Sequence, residues 1–301
     1  MRSGPPGQAC KGALPVSASA VTASAVKTLD LDGTAVPVLG FGTYKLNGRA
    51  CRDGVADALA LGYRHIDTAQ IYENEIEVGE GLRQSGVLRA DVFLTTKVWH
   101  TALRPDDVAR TAEESLRRLG TDYVDLLLVH WPSPAVPLAD TLGAFERLRE
   151  SGKTRFIGVS NFPAALLVEA FEHADIRCNQ VEYHVLLDQS PLVGLMRARG
   201  GMLTAYRPLA GGRLADEPVV EEIARAHSAT APQVALAWLL AQDGVSAIPK
   251  ASSSEHRRAN LAALEIALSG DERDALKTLA RTRNRRFVNP DIAPVWDAPS
   301  A

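Results

Sequence analysis

From Leu39 onward the chain repeats one alternation eight times: a short apolar run, then a segment with helical spacing. The runs are Leu39 to Tyr44, Arg64 to Thr68, Val92 to Val98, Val124 to His130, Phe156 to Ser160, Cys178 to Tyr183, Met202 to Pro208 and Ser246 to Lys250. Between them apolar residues recur every third or fourth position, as in Val55, Ala58, Leu59 and Gly62, or Ala112, Leu116 and Leu119. That period belongs to amphipathic helices. Strands that alternate with helices lie parallel. Eight such units in about 250 residues match the size of a closed barrel. The expected fold class is therefore α/β, a (β/α)8 TIM barrel.

A doubly wound sheet is the competing architecture, but its Gly-x-Gly-x-x-Gly fingerprint is missing, since Leu39-Gly40-Phe41-Gly42-Thr43-Tyr44 has only the first two glycines. Ahead of the first strand, Leu29-Asp30-Leu31-Asp32-Gly33-Thr34 carries the Asp-Gly signal of a β-hairpin, which could plug the barrel bottom. Thr230-Ala231-Pro232-Gln233 has the form of a capping box opening a helix, and Trp238 on that helix reads as core. Pro134, Pro137 and the Pro/Arg-rich stretch after Arg281 read as loops, the last of them a C-terminal loop over the barrel mouth. One domain, residues 26–301, is expected, preceded by a disordered extension over residues 1–25. In that extension Ala18-Ser19-Ala20 and Ala23-Ser24-Ala25 resemble leader-cleavage sites, but Pro15 and several serines break the preceding stretch.

The chain is 46% hydrophobic and 23% charged, enough apolar residue for a sizeable core. A net charge of −3 with mixed-sign surface segments gives no electrostatic case for nucleic acid or a membrane surface. Cys10, Cys51 and Cys178 are odd in number and far apart, so neither a disulfide framework nor a zinc site is indicated and a cytoplasmic location fits. The seven histidines form no metal-binding spacing, and no apolar run approaches the ~20 residues of a membrane span. No metal is expected, and the partner expected is a small molecule.

Working groups of a barrel come from the C-terminal strand ends. Here nearly every run ends in a polar residue: Asp67, Lys97, His130, Ser160 with Asn161, Gln180 or Glu182, Tyr206 and Lys250. Lys97 shares a strand face with Phe93 and Thr95, so its ammonium should be buried and in need of a counter-ion, for which Asp67 is the natural partner. His130 shares a face with Leu126 and Leu128. Tyr72 follows Asp67 by five residues. Singly, each has an ordinary structural explanation: a helix cap, a solvated strand-end charge, a core histidine, a packing aromatic. Together they supply a phenolic proton donor, a cation to acidify it, a counter-ion and a hydrogen bonder for a carbonyl.

With these residues in place the chain resembles an aldo-keto reductase from about Val26 to the C-terminus. Gly62-Tyr-Arg-His-Ile-Asp67-Thr-Ala with Tyr72, Glu75 and Gly79 is similar to the family's first signature. Thr96-Lys97-Val-Trp, Val129-His130-Trp-Pro, Gly158-Val-Ser160-Asn161-Phe, Asn179-Gln180-Val-Glu and Ile248-Pro-Lys250-Ala-Ser follow in order. The ending Asn284-Arg-Arg-Phe-Val-Asn-Pro-Asp-Ile-Ala-Pro-Val-Trp296-Asp resembles the bacterial 2,5-diketo-D-gluconate reductases, particularly the methylglyoxal-reducing type.

The resemblance implies a catalytic tetrad of Asp67, Tyr72, Lys97 and His130, with NADPH reducing an aldehyde or ketone and Tyr72 acting as general acid. Lys97 would lower the phenol's pKa, and His130 would donate to the carbonyl oxygen. For the cofactor, Ser160, Asn161 and Gln180 are implied as carboxamide contacts and Tyr206 as the stacking surface for nicotinamide. Arg207 would stand beside the pyrophosphate, and Lys250, Ser252, Ser253, His256 and Asn260 beside the adenosine 2′-phosphate end. Serine is common in the family where Arg207 stands, and arginine where His256 stands; Arg257 is adjacent to the latter. Tyr44, Trp99, His130, Trp131 and Trp296 would bound the substrate, a small dicarbonyl or a sugar-derived carbonyl, and the family suggests a monomer. The competing function is a regulatory protein that binds the nicotinamide cofactor on the same barrel with little turnover.

Overall fold

The computed structural model describes Met1, residues 27–214 and residues 216–297. Apart from Met1, the extension expected over residues 1–25 lies outside the described residues. The described fold begins with the hairpin: β1 (Thr28–Leu31) pairs antiparallel with β2 (Thr34–Pro37). Its two-residue turn has positive φ at both Asp32 (49°) and Gly33 (77°), the geometry that the Asp-Gly pair favours. Leu31 and Val36 turn inward against Phe93, Leu126, Leu128, Cys178 and Met202, so the hairpin closes the N-terminal end of the barrel as an apolar plug. A buried Asp125 fastens this end, paired with Arg89 at 2.8 Å and Arg155 at 3.1 Å, and Arg155 reaches on to Thr34 Oγ1 at 2.9 Å.

Eight parallel strands follow in chain order: β3 (Phe41–Gly42), β4 (His65–Asp67), β5 (Phe93–Val98), β6 (Val124–Val129), β7 (Thr154–Ser160), β8 (Ile176–Glu182), β9 (Met202–Tyr206) and β10 (Val245–Ala247). The circle closes where Leu39 bridges Ala247 in parallel, with Gly40 N donating to Ala247 O and Ala247 N to Val38 O, each at 2.8 Å. Six of the eight strands stop short of the ends of their apolar runs, and for β9 and β10 the cause is local. Arg207 is left-handed (φ 52°), ending β9, and Pro249 has no N–H with which to extend β10.

The helices between strands are α1 (Gly48–Ala60), α2 (Glu75–Ser85), α3 (Pro105–Leu119), α4 (Leu138–Glu150), α5 (Ala164–His173), α6 (Ser190–Ala198), α7 (Pro218–Ala226) and α8 (Ala231–Leu240); α9 (Ser254–Ala262) and α10 (Gly270–Arg283) follow β10. In α3 the buried residues Val108, Ala112, Leu116 and Leu119 repeat at helical spacing and face the sheet. α8 is apolar nearly all round, opens with the Thr230/Gln233 capping box, and buries Trp238 against Tyr183, their rings 5.4 Å apart. Because helices cover the outside and side chains fill the inside, β6 is buried on both faces: Leu126 and Leu128 look inward, Leu127 and Val129 outward.

Helix α2 approaches the end of α3 so closely at Gly79 that any side chain there would run into the Leu119 carbonyl. Gly79→Ala is expected to lower stability by about 1–3 kcal/mol through overpacking. Urea titration should show a lower midpoint at unchanged slope; an unchanged midpoint would mean that α2 withdraws freely.

Candidate active site

The strand-end residues singled out in the sequence gather at the C-terminal ends of the strands, most of them on the inward side; Lys250, three residues beyond β10, is exposed. Asp67 ends β4, Lys97 is the penultimate residue of β5, and His130 follows β6. The parallel register sets Asp67 opposite Thr95, so Lys97 lies one inward step further along its strand. Its ammonium is fully buried and its three hydrogens have three acceptors: Asp67 Oδ1 at 2.5 Å, Thr68 O at 2.7 Å and Tyr72 OH at 3.4 Å. The second oxygen of Asp67 accepts from Gln180 Nε2 at 2.7 Å, so the carboxylate is held from across the barrel.

Tyr72 is aimed back over this pair by local backbone. Gln70–Tyr72 forms a short 3-10 turn, and Glu73 in the left-handed region (φ 55°) reverses the chain into α2. Asn74 ties that loop down, donating to Thr43 O at 3.0 Å and Leu46 O at 2.8 Å and accepting from Thr68 Oγ1 at 2.8 Å. Glu75, buried, accepts from Thr96 Oγ1 at 2.6 Å and Arg118 Nε at 2.8 Å, fixing the outer face of β5 behind Lys97. Gln70 accepts from Trp99 N at 3.2 Å and so places the tryptophan. Sequence reasoning assigned no positioning role to Gln70, Asn74 or Glu75, although all three stand in the stretch that includes Tyr72.

Around the phenol the rings of Tyr44 and His130 lie at 5.0 Å and 5.7 Å, and Trp99 meets His130 edge-on at 5.1 Å. Trp131 meets Trp296 at 6.1 Å, so the C-terminal loop does come over the mouth. That loop is clamped by Glu182, which accepts from Phe287 N at 3.1 Å and Val288 N at 2.9 Å.

The electrostatics correct one expectation. The phenol of Tyr72 is pushed well above its usual pKa, chiefly by burial and next by the negative Asp67, instead of being drawn below it by Lys97. Burial lowers the Lys97 ammonium while Asp67 holds it up. His130 is driven well below its ordinary pKa by burial, then by Lys97 and His100, so the imidazole is neutral at pH 7 and can donate from only one nitrogen.

On the next strands Ser160 Oγ donates to Gln180 O at 2.8 Å, and Asn161 Nδ2 donates to His130 O at 3.0 Å and Ser160 Oγ at 3.1 Å. Tyr206 OH donates to Asn161 Oδ1 at 2.8 Å. These bonds leave one Gln180 Nε2 hydrogen and one Asn161 Oδ1 lone pair uncommitted among the described residues, capacity that suits a carboxamide. Arg207 is exposed at the head of the following loop. Lys250 Nζ lies exposed, donating to Ser252 Oγ at 2.5 Å, next to the start of α9, where Ser253 Oγ accepts from His256 N at 3.2 Å. His256 is exposed and Asn260 buried. Arg257 does not join them: it turns inward to Asp57 at 2.6 Å and to Ala251 O at 3.0 Å, which removes it as a replacement for the missing guanidinium. Among the described residues no three His, Cys, Asp or Glu side chains are placed to hold a metal, and no helix is long and apolar enough to cross a membrane.

A barrel with this cluster at its mouth belongs with the carbonyl reductases, and residues 38–281 match the model of the Aldo/keto reductase family. The chain belongs to that family and is an oxidoreductase that reduces small-molecule carbonyls. It is 40% identical over 268 residues to the methylglyoxal reductase DkgB of Yersinia pestis, covering 87% of this chain and 99% of that one. It is also 40% identical over 264 residues to the glyoxal reductase of Bacillus subtilis, covering 86% and 94%. A solved structure proposed to be 2,5-diketo-D-gluconic acid reductase B superposes with TM-score 0.87 at 45% identity, covering 90% of this chain and 97% of that chain.

If Lys97 and Asp67 act as a buried pair, Asp67→Asn leaves an unbalanced ammonium and should cost about 3–5 kcal/mol in stability. Adding Lys97→Met should recover part of that loss in urea titration at pH 7. Strictly additive losses in the double variant would contradict the pairing.

Proposed function

We propose that the protein reduces small aldehydes and ketones, methylglyoxal-like dicarbonyls and sugar-derived carbonyls among them, with NADPH as reductant and Tyr72 as general acid. The observation that carries this reading is the shared ammonium: one Lys97 Nζ contacts both Asp67 and the Tyr72 hydroxyl at the barrel mouth. NADPH would supply the hydride. As the carbonyl oxygen gains negative charge, Tyr72 would give it the phenolic proton, and Lys97 would stabilise the phenolate left behind. Its raised pKa keeps Tyr72 protonated at neutral pH, which a proton donor needs. His130, neutral and beside Tyr72, would donate a hydrogen bond to the same oxygen where charge develops.

For the cofactor, Ser160, Asn161 and Gln180 would hold the carboxamide, and Tyr206, half-buried at the end of β9, would offer its ring face to the nicotinamide. Arg207 would meet the pyrophosphate. Lys250 with Ser252 and Ser253 would carry preference for the 2′-phosphate, because His256 presents an imidazole where a guanidinium fork would stand and Arg257 is committed to Asp57. Tyr44, Trp99, Trp131 and Trp296 would wall the substrate. The names of the similar proteins support methylglyoxal and glyoxal as first substrates to try.

With methylglyoxal as substrate, Tyr72→Phe should lower kcat by a factor on the order of 10³ while leaving the Kd for NADPH, read by protein fluorescence, unchanged. NADPH should exceed NADH in kcat/KM. Retained turnover in Tyr72→Phe would remove the tyrosine as the acid, and NADPH binding without turnover on any carbonyl would favour the non-catalytic reading.

A further inference from the structure

Arg286, in the segment between α10 and Trp296, carries a positive charge that the fold has partly buried. Its guanidinium lies flat on the Trp296 ring, 3.6 Å from carbon to centroid, and its Nη1 is buried with no hydrogen-bond acceptor among the described residues. Burial lowers its pKa, while Tyr206, Glu182 and Asp297 act on it from nearby in the opposite sense. Neither carboxylate reaches its Nη1. Glu182 is taken by the amides of Phe287 and Val288, and by His184 Nε2 at 3.2 Å; Asp297 accepts from Ala164 N at 2.9 Å. A buried guanidinium N–H without an acceptor favours an incoming anion that supplies one.

Its position says which molecule would bring that anion. Trp296, stacked on Arg286, meets Trp131, and Trp131 directly follows His130. Arg286 therefore stands, through Trp296, beside the mouth on the C-terminal-loop side. We propose that Arg286 is a specificity-determining residue that binds a carboxylate on the carbonyl substrate, so that the enzyme prefers oxo acids and oxo-sugar acids to uncharged carbonyls of the same size. This rests on the reductase reading above and narrows its substrate class. The planar fork can meet both carboxylate oxygens while its face stays on the indole, which an ammonium cannot do.

The test uses matched pairs: succinic semialdehyde against butanal, and 4-carboxybenzaldehyde against benzaldehyde, each with NADPH. The wild-type enzyme should favour the carboxylated member by about tenfold or more in kcat/KM, the range of a charged hydrogen-bonded pair. Arg286→Leu should bring both ratios close to one, mainly through KM, and Arg286→Lys should keep part of the preference. A role confined to bracing Trp296 would depress both members alike and leave the ratios where they were, which overturns the proposal. So would a wild-type ratio of one or less, which needs no variant to fold, or a loss in Arg286→Leu of NADPH affinity in place of carboxylate discrimination, which would assign the residue to a cofactor phosphate. If no aldehyde is reduced, the reductase reading fails by itself; binding of the same pairs, followed by quenching of tryptophan fluorescence, still decides whether Arg286 selects the carboxylate.

Discussion

One ammonium with three hydrogens organises the mouth of this barrel. Lys97 has left water completely, and the price is met by a carboxylate, a backbone carbonyl and a phenol that come from β4 and the loop after it. The arrangement depends on register. Along β5 side chains alternate, so Phe93, Thr95 and Lys97 point into the barrel while Leu94, Thr96 and Val98 point to the helices. A slip of one residue would put Lys97 among apolar helix contacts and Thr96 beside Asp67. The outward Thr96, held by Glu75, and the inward Lys97, held by Asp67, therefore lock the same strand from both faces.

The two ends of the barrel divide the labour. At the N-terminal end the hairpin plug, with Leu31 and Val36 against Leu126, Leu128 and Met202, contributes apolar burial, about 1.5–3 kcal/mol for each large side chain removed from water. At the other end polar groups occupy the inward positions, and their desolvation opposes folding unless every hydrogen bond is made. Two aromatic clusters stand at the mouth: Tyr44, Tyr72, Trp99 and His130 in one, and Trp131 with Trp296 and its stacked Arg286 in the other; Glu182 holds the C-terminal loop by the amides of Phe287 and Val288.

Much of this was legible in the chain because it is local. Eight apolar runs specify eight strands, the Asp32-Gly33 pair specifies a hairpin, and face-sharing of Lys97 with Phe93 and Thr95 specifies burial. Strand ends were less legible: Pro249 truncates β10 by lacking an N–H, and Arg207 truncates β9 by adopting a left-handed φ that arginine does not advertise. Least legible were side-chain choices made across long separations. Nothing near Arg257 says that it will turn to Asp57, two hundred residues earlier, instead of toward its neighbour His256. Likewise nothing near Glu182 announces the amides of Phe287 and Val288. The direction of the Tyr72 shift is hidden in the sequence for a related reason: the spacing of Lys97 and the phenol shows one charge, whereas the folded site adds burial and a second charge, Asp67, of opposite sign.

The central claim is that Lys97 supports a buried neutral phenol, restraining an upward shift that burial and Asp67 impose. Titrating the ring-carbon NMR signal of Tyr72 in protein labelled with ¹³C at the tyrosine Cζ tests this directly. A phenol that ionises above the ordinary value of about 10, and higher still in Lys97→Met, is the predicted result. Ionisation below that value in the wild-type protein, or a titration indifferent to loss of Lys97, would contradict it.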